Sequence, residues 1–586
     1  MVSGKTPRRF RLALALVGAA AIFLVAFTGF QALQARNALK DVAVHFDEVA
    51  SSLTDGDVAK ARAAVEQAQE RAAEARDNTH GPGWWLTSKL PGVGRNVVAV
   101  RTVAEVADGL AQDVLPNVVE AAETLRPDNL RPERGRIDLE PIEDVAPLVV
   151  RSDAELKRQT GTVDALDLTG LAPGIAEPIG VMRDRLDEAA ALSDRAARAV
   201  RLLPPMLGAD GPRNYLLIFQ NNAEPRATGG IPGAFAVVSA RNGRVELVRQ
   251  GDAGTIGRLD EPPIPLTDDE VELYGENLGR YPQNVTFTPE FPRTAALARA
   301  MWNKTQRQQV DGVISADPVV LSYLLRGTGP VTAPDGRQLT ADNAVELLLS
   351  DVYADVAEPA AQNEFFNAVA GSVFKALVSG RGDAKAVLDG LAQGAAERRL
   401  LIWSGHAREQ AVLTPLGISG GLAQEATPRP RMGIYLNDGS GNKMGYYLRR
   451  DVRVATDGCQ DERQMLKATV DLHSTAPEDP RTLPDYVAES VVGAPRGTIR
   501  TTFYVYAPVG GFIEGVSVDG TEVEVNRLDH DGREVIRTTL DVRPDEHRRL
   551  DVTMVGGQGQ LEAPILRTTP GAFDSGVGRV EWKDCA

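Results

Sequence analysis

A short polar segment, residues 220–230, concentrates groups that could bind a ligand. It carries three side-chain amides, one carboxylate, one guanidinium and one hydroxyl, and it ends in two glycines. Its candidate residues are Gln220, Asn221, Asn222, Glu224, Arg226, Thr228, Gly229 and Gly230. A guanidinium can grip phosphate or carboxylate oxygens through two parallel hydrogen bonds. Arg226 is therefore the predicted anion clamp, and Thr228 and the glycine amides are further donors.

Two carboxylates near this segment could hold a hard cation. They are Glu224, within the segment, and Asp252, beyond the next hairpin. Mg²⁺ prefers oxygen ligands of this kind, so it is the candidate cofactor. Arg293, together with Arg249 and Arg258, could line a groove for the same ligand. An alternative stays open, because Asn and Gln side chains in a loop can satisfy their own backbone.

Strands on either side are predicted to hold the segment in place. The apolar run at 215–219 is typical of a buried strand, and further strands are predicted at 234–240 and 245–248. Asn242-Gly243 lies between the last two. This pair is a strong hairpin signal, because a type I′ turn needs positive φ at both central positions. The pattern predicts a rigid sheet edge that presents a polar loop.

Composition excludes some classes of protein. The chain has 586 residues, which is too long for one core and favours three or four domains. Its formal net charge of −16 argues against nucleic-acid binding, which requires a basic surface. An acidic protein is also repelled by anionic lipids and polyanionic polymers. A phosphate-binding site would therefore have to be a local one.

The N-terminus predicts a single membrane anchor. Residues 12–30 are uninterruptedly apolar or small, which is about the length that spans a bilayer. Four cations precede this run: Lys5, Arg8, Arg9 and Arg11. They predict a cytoplasmic basic tail at residues 1–11, with the rest of the chain outside the cell. Cleavage of the segment near Gln34-Ala35 is the alternative.

The expected fold class is α+β with several domains. After the transmembrane helix, residues 31–207 predict a helical stalk or bundle. Residues 208–426 alternate strands with helices, which indicates a central α/β sandwich. Residues 432–586 show short strands and frequent turns, which indicates a C-terminal β-sandwich.

The two cysteines, Cys459 and Cys585, both lie in this last region. In an oxidising compartment they are expected to form a disulfide, and two buried free thiols are the alternative.

No motif of an established catalytic class stands out. Gly417-Ile418-Ser419-Gly420-Gly421 fits the nucleophile-elbow pattern, but Pro415 precedes it and no helix is expected after it. The six histidines are scattered without metal-ligand spacing, and there is no phosphate-binding P-loop. The catalytic residues, if there are any, stay unassigned.

Four stretches carry a resemblance to a known family. They are NYLLIFQNNAEPRATGGIPGAFAVV, FTPEFPRTA, DGVISADPVVLSYLLRGTGPV and NDGSGNKMGYYL. Together they resemble an actinobacterial family of membrane-anchored proteins defined by a domain of unknown function (family four-zero-one-two). The resemblance implies an anchored topology and a place in the cell envelope, and it carries no established activity.

A second resemblance lies in residues 310–331 and the part of the chain after them. That part comprises a helix, residues 349–353 and another long helix. This part is similar to LytR-CpsA-Psr proteins, membrane-anchored enzymes that move glycopolymers from a polyprenyl-pyrophosphate carrier onto peptidoglycan. Those enzymes place arginines on the pyrophosphate and acidic residues on Mg²⁺. Their matching segment has arginines where residues 350–366 of this chain have none.

The expected function is therefore that of a membrane-anchored, extracytoplasmic envelope protein. It would bind an anionic or polyprenyl-linked glycan during envelope or exopolysaccharide assembly, with LytR-CpsA-Psr-like phosphotransfer as an additional activity. Binding is favoured over catalysis. The alternative from another class is a non-catalytic scaffold or adhesion protein.

Overall fold

The computed structural model describes residues 8–585, and of residues 8–26 it describes only the helical backbone. By internal contacts the chain divides into two compact units. The first comprises residues 8–129 and Asp138–Pro204, and the second comprises Leu130–Ile137 and residues 205–585.

The first unit is helical because its sequence is rich in alanine and charged residues, which favour helices. In the second helix, Ala61, Ala64, Ala68 and Ala72 recur every three or four residues and form a buried stripe. The helices are α1 (Arg8–Thr54), α2 (Val58–Asn78), α3 (Pro82–Thr87), α4 (Gly94–Gly109), α5 (Leu115–Thr124), α6 (Glu140–Asp164) and α7 (Pro173–Met206).

The predicted transmembrane helix at residues 12–30 falls within α1. Among the helices of the described residues, none is both long enough and apolar enough to cross a membrane. The predicted fold class with a transmembrane helix is therefore wrong, and the corrected class is a mixed α/β protein with several sheets. The prediction rested on one apolar run, and the side chains of residues 12–26 lie outside the described part, as do residues 1–7 of the predicted basic tail.

The second unit begins with a mixed sheet whose strands run in the order β3-β2-β1-β4-β7. The β1–β4 pair is parallel, and the other pairs are antiparallel. The strands in this part of the chain are β1 (Arg213–Asn221), β2 (Ile231–Arg241), β3 (Arg244–Asp252), β4 (Gly312–Ala316), β5 (Val331–Thr332), β6 (Gln338–Leu339) and β7 (Leu401–Ser404).

Helices cover both faces of this sheet. On one face, Leu216 and Ile218 of β1 share a core with Phe291 and Trp302. On the other face, Phe219 packs into a separate core. The helices are α8 (Ala253–Ile256), α9 (Asp268–Tyr274), α10 (Phe291–Gln306), α11 (Pro318–Thr328), α12 (Ala344–Glu346), α13 (Val352–Asp355), α14 (Pro359–Val378), α15 (Ala384–Ala396) and α16 (Ala407–Leu413).

The predicted hairpin between β2 and β3 is confirmed. Arg241 pairs with Arg244, so Asn242 and Gly243 form the two-residue turn. Both have positive φ, 47° and 76°. Asn and Gly tolerate these angles, which is why this dipeptide turns the chain here.

Three further sheets complete the second unit. One is the antiparallel pair β5-β6, and the two larger ones have the orders β13-β12-β16-β10-β9-β18 and β14-β15-β11-β8-β17. Phe503 and Val505 of one sheet share a core with Val454, Leu466 and Val552 of the other. The elements are β8 (Arg431–Asp438), β9 (Leu448–Gln460), β10 (Arg463–Ser474), α17 (Asp485–Ala488), β11 (Ile499–Tyr506), β12 (Phe512–Val518), β13 (Thr521–Glu522), β14 (Asn526–His530), β15 (Arg533–Val542), β16 (His547–Val555), β17 (Ile565–Thr568) and β18 (Arg579–Glu581).

The predicted disulfide is confirmed. Cys459, near the end of β9, is bonded to Cys585, and their Cα atoms are 5.7 Å apart. The bond closes a sequence separation of 126 residues and fixes the chain beyond β18 to the sheet.

Candidate functional site

The polar segment singled out by the sequence is a buried connection between β1 and β2. Residues 222–230 are all buried, and Asn222 has no exposed surface. Backbone bonds fold the connection on itself. The N–H of Ile231 donates to the Glu224 carbonyl at 2.9 Å, and that of Gly229 to the Arg226 carbonyl at 2.7 Å. Most side chains of the segment therefore face other protein groups.

Gln220 holds the two ends of this connection together. Its Oε1 accepts hydrogen bonds from the N–H of Gly230 at 2.8 Å and the Thr228 hydroxyl at 3.0 Å. Its Nε2 donates to the Ser315 hydroxyl on β4 at 2.6 Å. A Cβ on Gly230 would lie 2.2 Å from the Asn221 carbonyl oxygen, so only glycine fits this crossing. This arrangement corresponds to the self-satisfied loop that the sequence left open.

Asn222 ties the connection to distant parts of the second unit. Its Nδ2 donates to the Asp317 carboxylate at 3.2 Å and to the Pro570 carbonyl at 3.4 Å. Arg399 donates to the same carboxylate and to the Gly571 carbonyl, both at 2.8 Å. All these groups are deep in the fold, so the network fixes the start of α11 against the chain after β17.

Arg226, the predicted anion clamp, is occupied by protein groups. Its guanidinium lies 3.8 Å from the Asp438 carboxylate, 4.0 Å from that of Glu224 and 4.7 Å from the centre of the Phe287 ring. It also donates to the Pro225 carbonyl at 3.1 Å. Burial raises the pKa of Asp438, and Arg226 opposes that rise. The charge of Arg226 is therefore balanced inside the fold.

Lys443 forms an ion pair with Glu224 beneath two aromatic rings. Its ammonium lies 4.8 Å from the ring centres of both Tyr353 and Tyr486. Burial works against the charge, but Glu224 and the two tyrosines raise the pKa of Lys443 overall. The lysine is therefore charged at physiological pH and is already paired.

This pair lies at the edge of the first cavity, which has a volume of about 310 Å³. Several of its apolar lining residues belong to the core on the β1 face that carries Phe219. Amides and tyrosines line it as well. The main apolar members are Phe219, Ile231, Leu321, Leu348, Leu349, Phe366 and Val369, and the polar members are Gln220, Asn221, Glu224, Asp252, Gln283, Tyr353, Gln362, Asn363, Lys443 and Tyr486.

One acceptor in this lining lacks a partner. The Gln283 carboxamide oxygen is buried, and it makes no hydrogen bond to any described residue. The neighbouring amides are engaged through their nitrogens: Asn221 donates to the Tyr353 hydroxyl, and Gln362 to the Val356 carbonyl at 2.6 Å. The oxygens of Asn221 and Gln220 are engaged too, since they accept from the N–H groups of Ala223 at 2.9 Å and Gly230 at 2.8 Å.

The two carboxylates considered for Mg²⁺ have other partners. Asp252 caps α8 by accepting from the Thr255 N–H at 2.8 Å, and its second oxygen accepts from Asn363 at 2.7 Å. Glu224 is paired with Lys443. Across residues 8–585, no three or more His, Cys, Asp or Glu side chains are grouped to hold an ion.

Arg293 lies away from the first cavity. It forms two hydrogen bonds to the Glu270 carboxylate, at 2.6 and 2.8 Å, and lines a second cavity of about 330 Å³. Glu290 and His530 line this second cavity as well. Burial raises the pKa of Glu290 to about 7, although the Leu422 N–H donates to its carboxylate.

The structure thus divides the predicted site residues. Gln220, Asn221, Glu224 and Asp252 line the first cavity, whereas Asn222, Arg226, Thr228, Gly229, Gly230 and Arg293 do not.

Sequence reasoning missed the aromatic and cationic part of the lining. Lys443 lies within the NDGSGNKMGYYL stretch, and Tyr353 ends the 349–353 segment, so both belonged to family-like motifs. Nothing local in the sequence indicated Tyr486 or Gln283.

Comparison with known proteins adds little beyond one domain. No curated protein matches this chain. A solved structure of a candidate nutrient binding protein from Legionella pneumophila is 7% identical over 21% of this chain, with a TM-score of 0.14. The match spans 43% of that structure's own chain. A likeness this low carries no argument about fold or function.

A family model matches part of the second unit. The matched residues, 210–353, begin just before β1 and end at Tyr353, so they contain the buried connection and much of the first cavity's wall. This match confirms the predicted resemblance over that part of the chain: residues 210–353 match the family described as "Protein of unknown function (DUF4012)".

Proposed function

We propose that the first cavity binds an amphipathic glycan, such as one carried on a polyprenyl chain, without transferring it. The observation that carries the proposal is the mixed lining of the cavity, which combines apolar side chains with amides and tyrosines. Ligand pockets are typically apolar with a few placed polar groups, and this cavity has a size at the low end of their range.

The apolar lining residues suit a hydrocarbon chain. Phe219, Leu348 and Val369 belong to one hydrophobic core on the β1 face, and all three line the cavity. Each buried CH₂ group gains about 0.8 kcal/mol, so a few isoprenoid carbons would supply most of the affinity.

The polar lining residues suit sugar hydroxyls. Gln362, Asn363 and Tyr486 line the cavity and carry amide and hydroxyl groups of the kind that bond to sugar hydroxyls. Tyr486, which is 47% exposed, offers a ring face at the same cavity. A hydroxyl-bearing ligand would use these groups.

Binding is a better proposal than phosphotransfer. A LytR-CpsA-Psr-like transferase would need cations on the diphosphate, and no arginine is among the described residues that line the cavity. Its one cation, Lys443, is already paired with Glu224. A diphosphate would have to compete with that carboxylate.

A place outside the cytoplasm is part of the same proposal. The Cys459–Cys585 bond supports it, because disulfides persist in oxidising compartments.

The test is calorimetry on the purified chain with two probes, a polyprenyl-linked disaccharide and dodecyl maltoside below its micellar concentration. Ala370→Phe fills the cavity from α14 and should weaken binding at least tenfold. Ala368→Phe adds the same ring two residues away on the exposed side of α14 and should leave binding unchanged. Equal binding by the wild type and A370F would reject this site.

A second candidate function is a non-catalytic scaffold. The observation in its favour is that Asn222, Thr228 and Gly230 act as internal ties and are not open to solvent. If neither probe binds the wild type, the scaffold is the better conclusion.

A further inference from the structure

Four arginines from separate elements of the second unit form a cluster without carboxylate partners. Arg431 begins β8, Arg533 begins β15, Arg567 lies on β17, and Arg398 lies between α15 and β7. Among the described residues, none of the four forms an ion pair with a carboxylate. In a chain with 80 acidic and 64 basic residues, four such cations together need an explanation.

Backbone contacts place these residues side by side. In the parallel β8–β17 pair, Arg431 is opposite Ile565 and Arg567 is opposite Gly433. Residues two apart on a strand share a face, so both arginines lie on the same side of the sheet. Arg533 adjoins the backbone of Arg431, because its guanidinium donates to the Arg431 carbonyl at 3.1 Å.

Arg398 reaches the same place through Gly576. The N–H of Gly576 donates to the Glu397 carbonyl at 2.8 Å, and its carbonyl accepts from the Thr568 N–H at 3.1 Å. A Cβ on Gly576 would lie 2.9 Å from the Arg398 Cβ. Gly576 therefore brings the residue before Arg398 next to the residue after Arg567.

The four guanidiniums differ in their hydrogen-bond partners. Arg533 is held by three carbonyls, those of Ala423, Arg431 and Ala507. Arg398 has a single long bond, to the Gly417 carbonyl at 3.4 Å. Arg431 and Arg567 have no side-chain partner among the described residues. Burial lowers the pKa of Arg567, and the neighbouring charges of Arg398 and Arg431 lower it further.

Among the described residues, no carboxylate lies close enough to any of the four guanidiniums to form an ion pair. Glu290 is the carboxyl whose charge interacts with Arg398 and Arg533, but it makes no ion pair with either. Repulsion between like charges that are partly removed from water costs free energy, and a bound anion offsets that cost. Forked guanidiniums match the oxygens of a phosphate group better than those of a singly charged carboxylate, because several cations face it.

We propose that Arg398, Arg431 and Arg567 bind a phosphate-bearing anion, with Arg533 contributing its charge from a fixed position. The site is separate from the first cavity, whose lining includes none of the four. It therefore does not depend on the proposed glycan binding. The phosphate can belong to a soluble molecule or to a lipid headgroup. In both cases the arginines would bind the same phosphate oxygens.

The experiment uses the purified full chain at low ionic strength with two arms. Calorimetry measures binding of inorganic pyrophosphate, and co-sedimentation measures binding to phosphatidylglycerol vesicles, with phosphatidylcholine vesicles as the neutral reference. Arg567→Gln and Arg431→Gln should each weaken binding tenfold or more in the arm that binds. Arg429→Gln is the matched control, because Arg429 is two residues from Arg431 but is exposed and paired with Glu562.

The outcomes distinguish a soluble phosphate ligand, a lipid headgroup and the absence of a phosphate site. Loss of pyrophosphate binding in R431Q and R567Q, with R429Q unchanged, supports a soluble phosphate ligand. The same pattern only with anionic vesicles supports a headgroup. Binding in neither arm, or equal weakening by R429Q, overturns the proposal. R431Q keeps the test decisive if R567Q does not fold, because Arg431 is exposed and its side chain bonds to nothing described.

Discussion

Replacing Glu290 by Gln is expected to stabilise the second unit at alkaline pH and to change little in acid. The carboxyl lies in the second cavity beside α10, and its hydrogen bond comes from the Leu422 N–H. Burial raises its pKa from 4.5 to about 7. A glutamine accepts the same hydrogen bond without carrying a charge, so the variant isolates the cost of ionisation.

The sign follows from proton binding. Because the folded-state pKa exceeds the unfolded value, the folded protein holds this proton more tightly between pH 4.5 and about 7. The contribution of this proton to the free energy of unfolding is lost as the pH rises through that window and is absent above about pH 8. The shift from 4.5 to about 7 is about 2.5 pKa units. At about 1.36 kcal/mol per unit the cost is about 3 kcal/mol at pH 8.5, and at pH 5 it is below about 1 kcal/mol.

The assay is urea unfolding at pH 5 and pH 8.5, followed by hydrogen exchange of peptides from α10. This readout reports the second unit without assuming that the whole chain unfolds in one step. Glu276→Gln is the control, because that carboxylate is exposed and paired with Arg280, and a surface pair contributes at most about 1 kcal/mol. If E290Q changes stability equally at the two pH values, or destabilises at pH 8.5, the buried-carboxyl reasoning is refuted.

Three other substitutions test the remaining interpretations. Lys443→Met should destabilise the second unit by about 3–5 kcal/mol in urea unfolding, because it leaves Glu224 buried without its cation. Cys585→Ser should cost about 5 kcal/mol in the chain-entropy estimate for a 126-residue separation, measured by the thermal midpoint of oxidised protein. Gly445→Ala should destabilise measurably, because its Cβ would lie 2.4 Å from Pro225 in the buried connection, and hydrogen exchange there would report it.

Each of these has a contrary result. If Lys443→Met unfolds at the wild-type urea concentration, the Glu224 charge is satisfied in another way. If thiol labelling of the wild type finds two reactive cysteines, the disulfide is absent from the purified protein. If Gly445→Ala leaves exchange in residues 222–230 unchanged, the close approach at Pro225 does not constrain the buried connection.

Local chemistry made the hairpin and the disulfide predictable. Asn242-Gly243 specifies its turn through backbone angles alone, and two cysteines allow one pairing. The transmembrane prediction used local hydropathy as well, but no described helix supports it. A run of apolar side chains gives the mean hydropathy of a segment, but it does not show what those side chains contact.

The candidate site was predictable in position but only partly in role. The density of polar groups at 220–230 correctly marked a stretch with many hydrogen bonds. The sequence could not show that the partners come from far along the chain: Asp438 for Arg226, Lys443 for Glu224 and Pro570 for Asn222. Such contacts depend on how the sheets pack against one another, which no local pattern encodes.

The bond between Cys459 and Cys585 turns the end of the chain into a covalent ring. An exposed stretch lies within that ring between α17 and β11, where Val491 is 81% exposed and Val492 is 55% exposed. A protease that cuts there produces two pieces that stay on one molecule until a thiol reductant opens the ring. A cut at this exposed place therefore releases nothing from the oxidised protein.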